Sequence, residues 1–210
     1  MKTQILPLFN LTSAQLAHVT DCLAKGATAA LATDTVYGLA TGAFCEQSIQ
    51  SIYALKERPA TMPLQLLVAS VTQAKQIANL SEPVCRLANV FWPGGLTLIV
   101  PPSEAGKPLL RGFSGLGIRV PALEPLQRVL TKMSMPLACT SANLHGQAVL
   151  TCQEDVINQY NGKIDFILAG GTLSPTPSSV LDVTKQPAQL LREGTISKEE
   201  LTHVYGGVIV

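Results

Sequence analysis

Two pairs of polar residues share the same two-residue spacing. Lys56 and Arg58 lie in the segment LKERP, and Ser141 and Asn143 lie in the segment TSAN. The first pair carries two positive charges, and the second pair offers a hydroxyl and an amide that donate hydrogen bonds without charge. If the chain brings them together, the four side chains can surround an oxyanion such as a phosphate or a carboxylate.

Each pair also has a purely structural interpretation. Lys56 and Arg58 come where a helix should end, and cations in the last turn complement its carbonyl end. Pro59 disfavours helical geometry at Arg58. If Arg58 is extended, residues two apart point to one side of the chain and form a cationic fork. The SAN segment could equally be an ordinary Asx or serine turn.

The sequence lacks the marks of several common catalytic designs. It contains neither a GxxxxGK[ST] phosphate loop nor a GxGxxG motif after a predicted strand. Ser141 lacks the GxSxG context of a hydrolase nucleophile. The histidines, His18, His145 and His203, lie far apart in the sequence, so we expect no metal ligand set and no histidine–serine pair. An anion-binding site that positions substrates remains.

The elements that must position these residues alternate between helices and strands along the whole chain. Apolar periodicity and capping residues predict helices near 13–26, 46–56, 124–133 and 151–160. Buried strands are predicted at LQLLVA, LTLIV, GIRV, PLACT, DFIL, SVLDV and AQLLRE. We expect a single three-layer α/β domain over residues 1–210. LTLIV to GIRV and SVLDV to AQLLRE have connections too short for a helical crossover, so the twisted sheet should mix parallel and antiparallel pairs.

Composition narrows the class of protein further. The net charge is +1 and only 14% of the 210 residues are charged, which disfavours a broad electrostatic grip on nucleic acid. The number of cysteines, five, is odd, and no CxxC motif occurs. We therefore expect neither a disulfide framework nor a zinc ribbon. This cysteine usage is typical of a protein in the reducing cytoplasm. No segment resembles a signal peptide or a membrane span, so no membrane association is expected.

Seven segments occur in one order that is typical of a known family. TDTVYGL, KERP, WPGGLT, GIRVP, TSAN, SSVLD and LREG together resemble the YrdC-like family of threonylcarbamoyl-AMP synthases, over residues 13–197. The resemblance implies a YrdC-like nucleotidyltransferase that joins L-threonine, bicarbonate and ATP, with Mg²⁺ accompanying ATP and no protein-held metal site. It also implies a role in tRNA threonylcarbamoyladenosine modification and a downstream threonylcarbamoyl transferase complex as a partner.

The resemblance also assigns roles to individual residues. Lys56, Arg58, Ser141 and Asn143 match the family's catalytic set, with the fork facing ATP phosphates and the carbamate carboxylate. The expected L-threonine contacts are Thr35, Arg119 and Ser179, with Arg119 pairing with the threonine carboxylate. The expected nucleotide contacts are Arg58, Cys139, Ser141, Asn143 and Arg192.

The chain departs from the family pattern at a few positions. Ala32 and Gly95 stand where the family usually has proline, and Gly115 stands where a hydroxyl residue often contacts ATP. The sequence ends soon after LREG, so we expect the short form without an extra C-terminal domain. Two alternatives stay open: a module of the same fold that binds tRNA or another structured RNA, and a carbamoyl-adenylate enzyme with another substrate.

Overall fold

The computed structural model describes residues 2–174 and 176–210. Helices and strands alternate along the chain, joined in places by short 3-10 turns. The strands are β1 (Gln4–Pro7), β2 (Ala29–Leu31), β3 (Gly38–Gly42), β4 (Gln65–Leu67), β5 (Leu96–Val100), β6 (Leu116–Arg119), β7 (Leu137–Ser141), β8 (Phe166–Ala169), β9 (Ser179–Asp182) and β10 (Gln189–Arg192). The helices are α1 (Ser13–Ala24), α2 (Glu46–Leu55), α3 (Val71–Ile77), α4 (Glu82–Phe91), α5 (Glu124–Lys132), α6 (Gln153–Tyr160) and α7 (Lys198–Tyr205).

The contacts between residues divide the chain into two compact units. The first unit consists of Met1–Leu64 and Leu123–Pro175, and the second consists of Gln65–Ala122 and Thr176–Val210. That residues 1–210 form a single three-layer domain stays a prediction.

The first unit contains five strands in the order β1, β8, β2, β3 and β7. β1 and β2 both pair with β8 in parallel, whereas β3 pairs antiparallel with β2 and with β7. Every residue of β2 and β3 is buried, which explains why their sequences do not alternate between apolar and polar residues. Of the helices in this unit, α1 begins with a capping box between Thr12 and Gln15.

The second unit contains the strands β4, β6, β5, β9 and β10 in that order. β6 is parallel to β4 and antiparallel to β5, while β9 is parallel to β5 and antiparallel to β10. The two strand pairs with short connections are therefore antiparallel, as predicted, and the mixed α/β sheet is confirmed. Within the part of the chain that the structure describes, no helix has both the length and the apolar character needed to cross a membrane.

Candidate functional site

The segment that carries Lys56 and Arg58 closes helix α2. The backbone N–H of Arg58 donates to Tyr53 O over 3.0 Å, and that of Glu57 donates to Ala54 O over 3.1 Å. This is the Schellman pattern, and Glu57 occupies its left-handed position with φ +51°. The sequence interpretation placed the two cations on one side of the chain if Arg58 is extended. In the structure, a left-handed Glu57 lies between the two cations and turns the chain, so the geometry of an extended segment does not describe their placement.

The ammonium of Lys56 joins the end of α2 to the SAN segment. Its Nζ donates hydrogen bonds to the backbone carbonyls of Ser141 and Asn143. In return, the backbone N–H of His145 donates to Lys56 O over 2.9 Å. The Lys56 residue is only 1% exposed. An ammonium has three donors, so one N–H of Lys56 is left for a ligand.

The side chain of Asn143 does not act as the sequence interpretation expected. Its Nδ2 donates to Leu144 O over 2.9 Å and to Gln147 O over 2.8 Å, which uses both amide hydrogens. Exchanging Nδ2 and Oδ1 would place an oxygen against two carbonyl oxygens, so this orientation is the favourable one. Oδ1 is buried without a hydrogen-bond partner. In this conformation the free atom of Asn143 is an acceptor and not an anion-binding donor.

The Arg58 guanidinium keeps most of its hydrogen-bonding capacity. Its Nη2 donates to Pro63 O over 3.2 Å, while Nε is buried without a partner. The same loop is held by Tyr53, whose hydroxyl donates to Met62 O over 2.9 Å. Burial lowers the pKa of Arg58. A buried donor without a partner is costly in a folded protein, which is consistent with a ligand that completes the site.

The positive charge of this cluster is not balanced by nearby carboxylates. Among the described residues, neither Lys56 nor Arg58 forms an ion pair, and the ion pairs that occur lie on exposed helix or turn surfaces. Burial, together with the charge of Arg58, lowers the pKa of Lys56 to about 8, while Cys139 opposes the shift. A buried lysine beside a half-buried arginine, with no carboxylate pairing with either among the described residues, is an arrangement suited to an anion.

The TDTVYGL segment lies next to the SAN segment. Gly38 is paired with Ser141 across β3 and β7, and the N–H of Ala142 donates to Tyr37 O over 2.7 Å. The Tyr37 hydroxyl donates to Gly171 O and accepts from Gly170 N, so it also binds the glycine loop that follows β8. Sequence analysis missed this role of Tyr37; the position of a tyrosine inside the first motif was its only signal.

Thr35 and Cys139 occupy buried positions in the same unit. The N–H of Thr35 donates to Thr33 Oγ1 over 3.1 Å, and Thr33 Oγ1 donates to Val36 O over 2.7 Å, which rigidifies the loop before β3. Cys139 lies in β7 facing Gly38, where an added Cβ would come within 2.6 Å of the cysteine sulfur. Their contacts with threonine and nucleotide stay predictions.

In the second unit, Arg119 is the largest buried cation. It ends strand β6, is 2% exposed, and donates from Nε to Gly94 O over 3.0 Å. The N–H of Gly94 in turn donates to Val120 O over 2.8 Å. The WPGG segment is thus bound to the arginine strand by hydrogen bonds in both directions, which positions the guanidinium.

Arg192 lies in the same unit and is bound to Ser178. Its Nε donates to Ser178 O over 2.8 Å, and its Nη2 donates to Ser178 Oγ over 3.1 Å. Partial desolvation of its guanidinium lowers the pKa of Arg192, although the residue as a whole is exposed, and the neighbouring charge of Arg119 lowers it further. Two arginines near each other again indicate a site for negative charge.

The hydroxyl of Ser179 is fully used by the backbone. It donates to Ile196 O over 2.6 Å and accepts from the N–H groups of Gly194 and Ile196 at 2.9 and 3.0 Å. A hydroxyl has one hydrogen and two lone pairs, so no capacity is left. The predicted contact from Ser179 to L-threonine would require one of these bonds to be exchanged, and it stays a prediction.

The comparisons with known proteins give the family. The model of the Sua5/YciO/YrdC family, which is described as "Telomere recombination", matches residues 21–194. The chain belongs to the Sua5/YciO/YrdC family. This confirms the resemblance derived from the seven motifs.

This Sua5/YciO/YrdC chain has relatives with named activities. It is 36% identical over 187 residues to threonylcarbamoyl-AMP synthase of Pyrococcus abyssi, covering 88% of this chain and 55% of the relative. It is 34% identical over 201 residues to threonylcarbamoyl-AMP synthase of Bacillus subtilis, covering 93% and 58%. The crystal structure of P. abyssi Sua5 complexed with L-threonine is similar with a TM-score of 0.89 and 31% identity, covering 100% of this chain and 63% of that one. The chain thus spans little more than half the length of these curated relatives.

Proposed function

We propose that this protein is a threonylcarbamoyl-AMP synthase that makes threonylcarbamoyl-AMP and pyrophosphate from L-threonine, bicarbonate and ATP. Membership of the family and the names of the relatives support the reaction. The structural observation that carries the proposal is a buried Lys56 beside a half-buried Arg58, for which the described residues provide no ion-pair partner. A triphosphate or a carboxylate supplies the missing charge.

The proposed reaction has two steps. The amine nitrogen of threonine attacks the carbon of bicarbonate, and loss of water gives a carbamate. An oxygen of the carbamate then attacks the α-phosphorus of ATP, and the bond to the β-phosphate oxygen breaks to release pyrophosphate. Both partners of the second step are negatively charged, so the barrier includes their repulsion. Positioned cations lower it, and no nucleophilic side chain is needed.

Lys56 and Arg58 are the groups that would neutralise this charge. The free N–H of Lys56 and the unpartnered Nε of Arg58 are donors available to oxyanions. Ser141 and Asn143 complete the proposed catalytic set, with Lys56 holding their backbone. Since the free atom of Asn143 accepts hydrogen bonds, we propose that it contacts a substrate N–H or O–H group while its amide maintains the loop.

Arg119 and Arg192 are proposed to bind the other charged groups of the substrates. A planar guanidinium suits the bidentate binding of a carboxylate, which fits Arg119 as the contact for the threonine carboxylate. The crystal structure of P. abyssi Sua5 complexed with L-threonine supports an amino-acid site in a protein of this fold. Arg192 and Cys139 are proposed to contact the nucleotide. Thr35 and Ser179 are proposed to contact L-threonine.

Mg²⁺ is proposed to enter as part of the substrate MgATP. Among residues 2–174 and 176–210, no three His, Cys, Asp or Glu side chains cluster as a metal-binding group. We propose that ATP oxygens and water hold most of the coordination sites of this cation, since Mg²⁺ usually keeps several waters and binds substrate phosphates.

The reactivity of the proposed product indicates which kind of enzyme acts after this one. A carbamoyl-adenylate is a reactive mixed anhydride, so we propose that a threonylcarbamoyl transferase acting on a tRNA adenosine consumes it downstream. None of the five cysteines forms a disulfide in the described residues. We propose a cytoplasmic location, as the cysteine pattern of the sequence predicts.

Pyrophosphate release from the purified protein tests the proposal. ATP and Mg²⁺ are supplied, and L-threonine and bicarbonate are omitted in turn. We expect release only with both present. Release that needs bicarbonate but accepts another amine would indicate a different carbamoyl-adenylate enzyme. No release from folded protein that binds tRNA with a steep salt dependence would replace the synthase by an RNA-binding module.

A further inference from the structure

A line of four polar side chains in the second unit ends on Arg192. Thr97 Oγ1 donates to Gln65 Oε1 over 2.9 Å, and it also lies 3.1 Å from Ser178 Oγ. Ser178 Oγ is 3.1 Å from Arg192 Nη2. The four residues come from different parts of the unit: Gln65 from β4, Thr97 from β5, Arg192 from β10, and Ser178 from the position that precedes β9.

The directions of the hydrogen bonds in this line follow from the guanidinium of Arg192 at one end and from the orientation of the Gln65 amide at the other. A guanidinium can only donate, so Arg192 donates to Ser178. The single hydrogen of Thr97 goes to Gln65, so Thr97 can only accept from Ser178. The Ser178 hydroxyl therefore donates to Thr97 and presents a lone pair to Arg192. Breaking the line at Thr97 would let the Ser178 hydroxyl rotate and weaken its hold on the guanidinium.

Ser178 also holds Arg192 through its backbone. Its carbonyl accepts from Arg192 Nε over 2.8 Å, so one residue contacts two nitrogens of the guanidinium. Ser178 is 2% exposed, whereas Arg192 lies on an exposed edge with Arg119 as a cationic neighbour. Repulsion between the two arginines favours rotation of Arg192 toward solvent. The two hydrogen bonds from Arg192 to Ser178 oppose that rotation.

We propose that Ser178 is a positioning residue that sets the orientation of the Arg192 guanidinium toward the nucleotide. This inference rests on the proposed function, in which Arg192 contacts ATP. Ser178 precedes the residue that the family resemblance selects, but the hydroxyl of Ser179 is fully used by the loop at Gly194 and Ile196. Of these two serine hydroxyls, that of Ser178 contacts the arginine.

The test measures KM for ATP in four proteins: wild type, Ser178→Ala, Arg192→Ala and the double variant. Loss of a hydrogen bond to a charged group should raise KM for ATP about tenfold, with a smaller change in kcat. In an Arg192→Ala background, Ser178→Ala should raise KM for ATP no further, since the two residues act through one contact. Ser13→Ala, at an exposed position in α1, is the matched control.

Thr97→Val and Thr97→Ser separate the hydrogen-bond line from general packing. Valine keeps the shape and removes the hydroxyl, so KM for ATP should rise about threefold, whereas Thr97→Ser should stay near wild type. These variants keep the inference testable if Ser178→Ala does not fold. An equal rise of KM in the presence and absence of Arg192, or no rise in Ser178→Ala, would overturn it.

A chemical readout keeps this inference separate from the synthase activity. Phenylglyoxal modifies accessible arginines, and the modified peptide that contains Arg192 can be quantified by mass spectrometry. Arg192 should react several times faster in Ser178→Ala than in wild type, whether or not the protein releases pyrophosphate. Equal reaction rates would overturn the positioning role, while absence of turnover in wild type would affect only the proposed function.

Discussion

Nζ of Lys56 donates a hydrogen bond to the backbone carbonyl oxygen of Asn143, 87 residues further along the chain. A second hydrogen bond reaches the carbonyl of Ser141, and the backbone of His145 donates back to Lys56. The lysine therefore has two tasks: two of its N–H groups hold the SAN segment, and the third is available to an anion. Its replacement should affect both the loop and the substrates.

Loss of either cation should abolish turnover without unfolding the protein. In Lys56→Ala and in Arg58→Ala we expect pyrophosphate release to fall at least about 100-fold, because preorganised donors to an oxyanion have effects of this size. Circular dichroism and thermal melting should show a folded protein. Lys25→Ala is the control, since Lys25 forms only an exposed pair with Asp21. Normal turnover in both variants would contradict the site assignment.

The low pKa of Lys56 predicts a pH dependence of ATP binding. Its pKa is about 8, so the folded protein loses this charge as pH rises through 8 and keeps it at lower pH. The Kd for ATP, measured by calorimetry without L-threonine, should therefore rise between pH 7 and pH 9. In the unfolded chain the lysine titrates near 10.5, so between 8 and 10.5 stability contributed by this group rises with pH.

Lys56→Met is the control for the pH dependence. The variant keeps an unbranched side chain and removes the titrating group, so its weaker ATP binding should change little between pH 7 and pH 9. If Lys56→Met retained the same rise in Kd as wild type, another group would be responsible for it.

Arg119→Lys should weaken L-threonine binding more than ATP binding. Lysine keeps the positive charge but cannot bind a carboxylate through two parallel hydrogen bonds, so KM for L-threonine should rise about tenfold or more. The variant also removes the Nε donor to Gly94 O, and some loss of thermal stability should accompany it. If KM for ATP rose as much as KM for L-threonine, the assignment of Arg119 to the threonine carboxylate would be wrong.

Glu57→Gly should stabilise the protein. Glu57 has φ +51°, and glycine adopts this left-handed conformation without the steric cost of a Cβ. Glycine has a larger conformational entropy in the unfolded chain, and this cost offsets part of the relief. We expect a net gain of about 0.5–1 kcal/mol in the free energy of unfolding. Urea denaturation can measure it. Glu57→Ala keeps the Cβ and should show no gain; equal stabilisation by both substitutions would attribute the effect to the lost carboxylate.

Gly194→Ala should disturb the loop after Arg192. A Cβ at this position would come within 2.2 Å of Pro177 O and 2.8 Å of Ser178 O, both backbone atoms that cannot move cheaply. We expect about 1–3 kcal/mol of destabilisation in urea unfolding. Gly117→Ala is a matched control, because its Cβ would meet ordinary contacts at 3.7 Å or more. Equal stability of the two variants would contradict the predicted backbone clash.

Local signals in the sequence predicted many of the helices and strands. The apolar spacing and Thr12 cap predicted α1, and short connections predicted the antiparallel pairs β5–β6 and β9–β10. Capping and turn formation depend on neighbouring residues, so they can be read from a few letters. The residue types at Lys56 and Arg58 likewise predicted anion binding, because charge is a property of the side chain itself, whereas the roles of Arg119 and Arg192 came from the family resemblance.

The direction of each hydrogen bond depended on the contacts that folding creates. Residue types alone did not reveal that Lys56 donates to two carbonyls, that Asn143 keeps a free acceptor, or that Ser178 and not Ser179 contacts Arg192. Hydroxyls and amides can donate or accept, and their role is set by the partners that packing brings within about 3 Å. Asn143 lies 87 residues from Lys56, and Ser178 lies 14 residues from Arg192, so folding had to bring these partners together before their roles were defined.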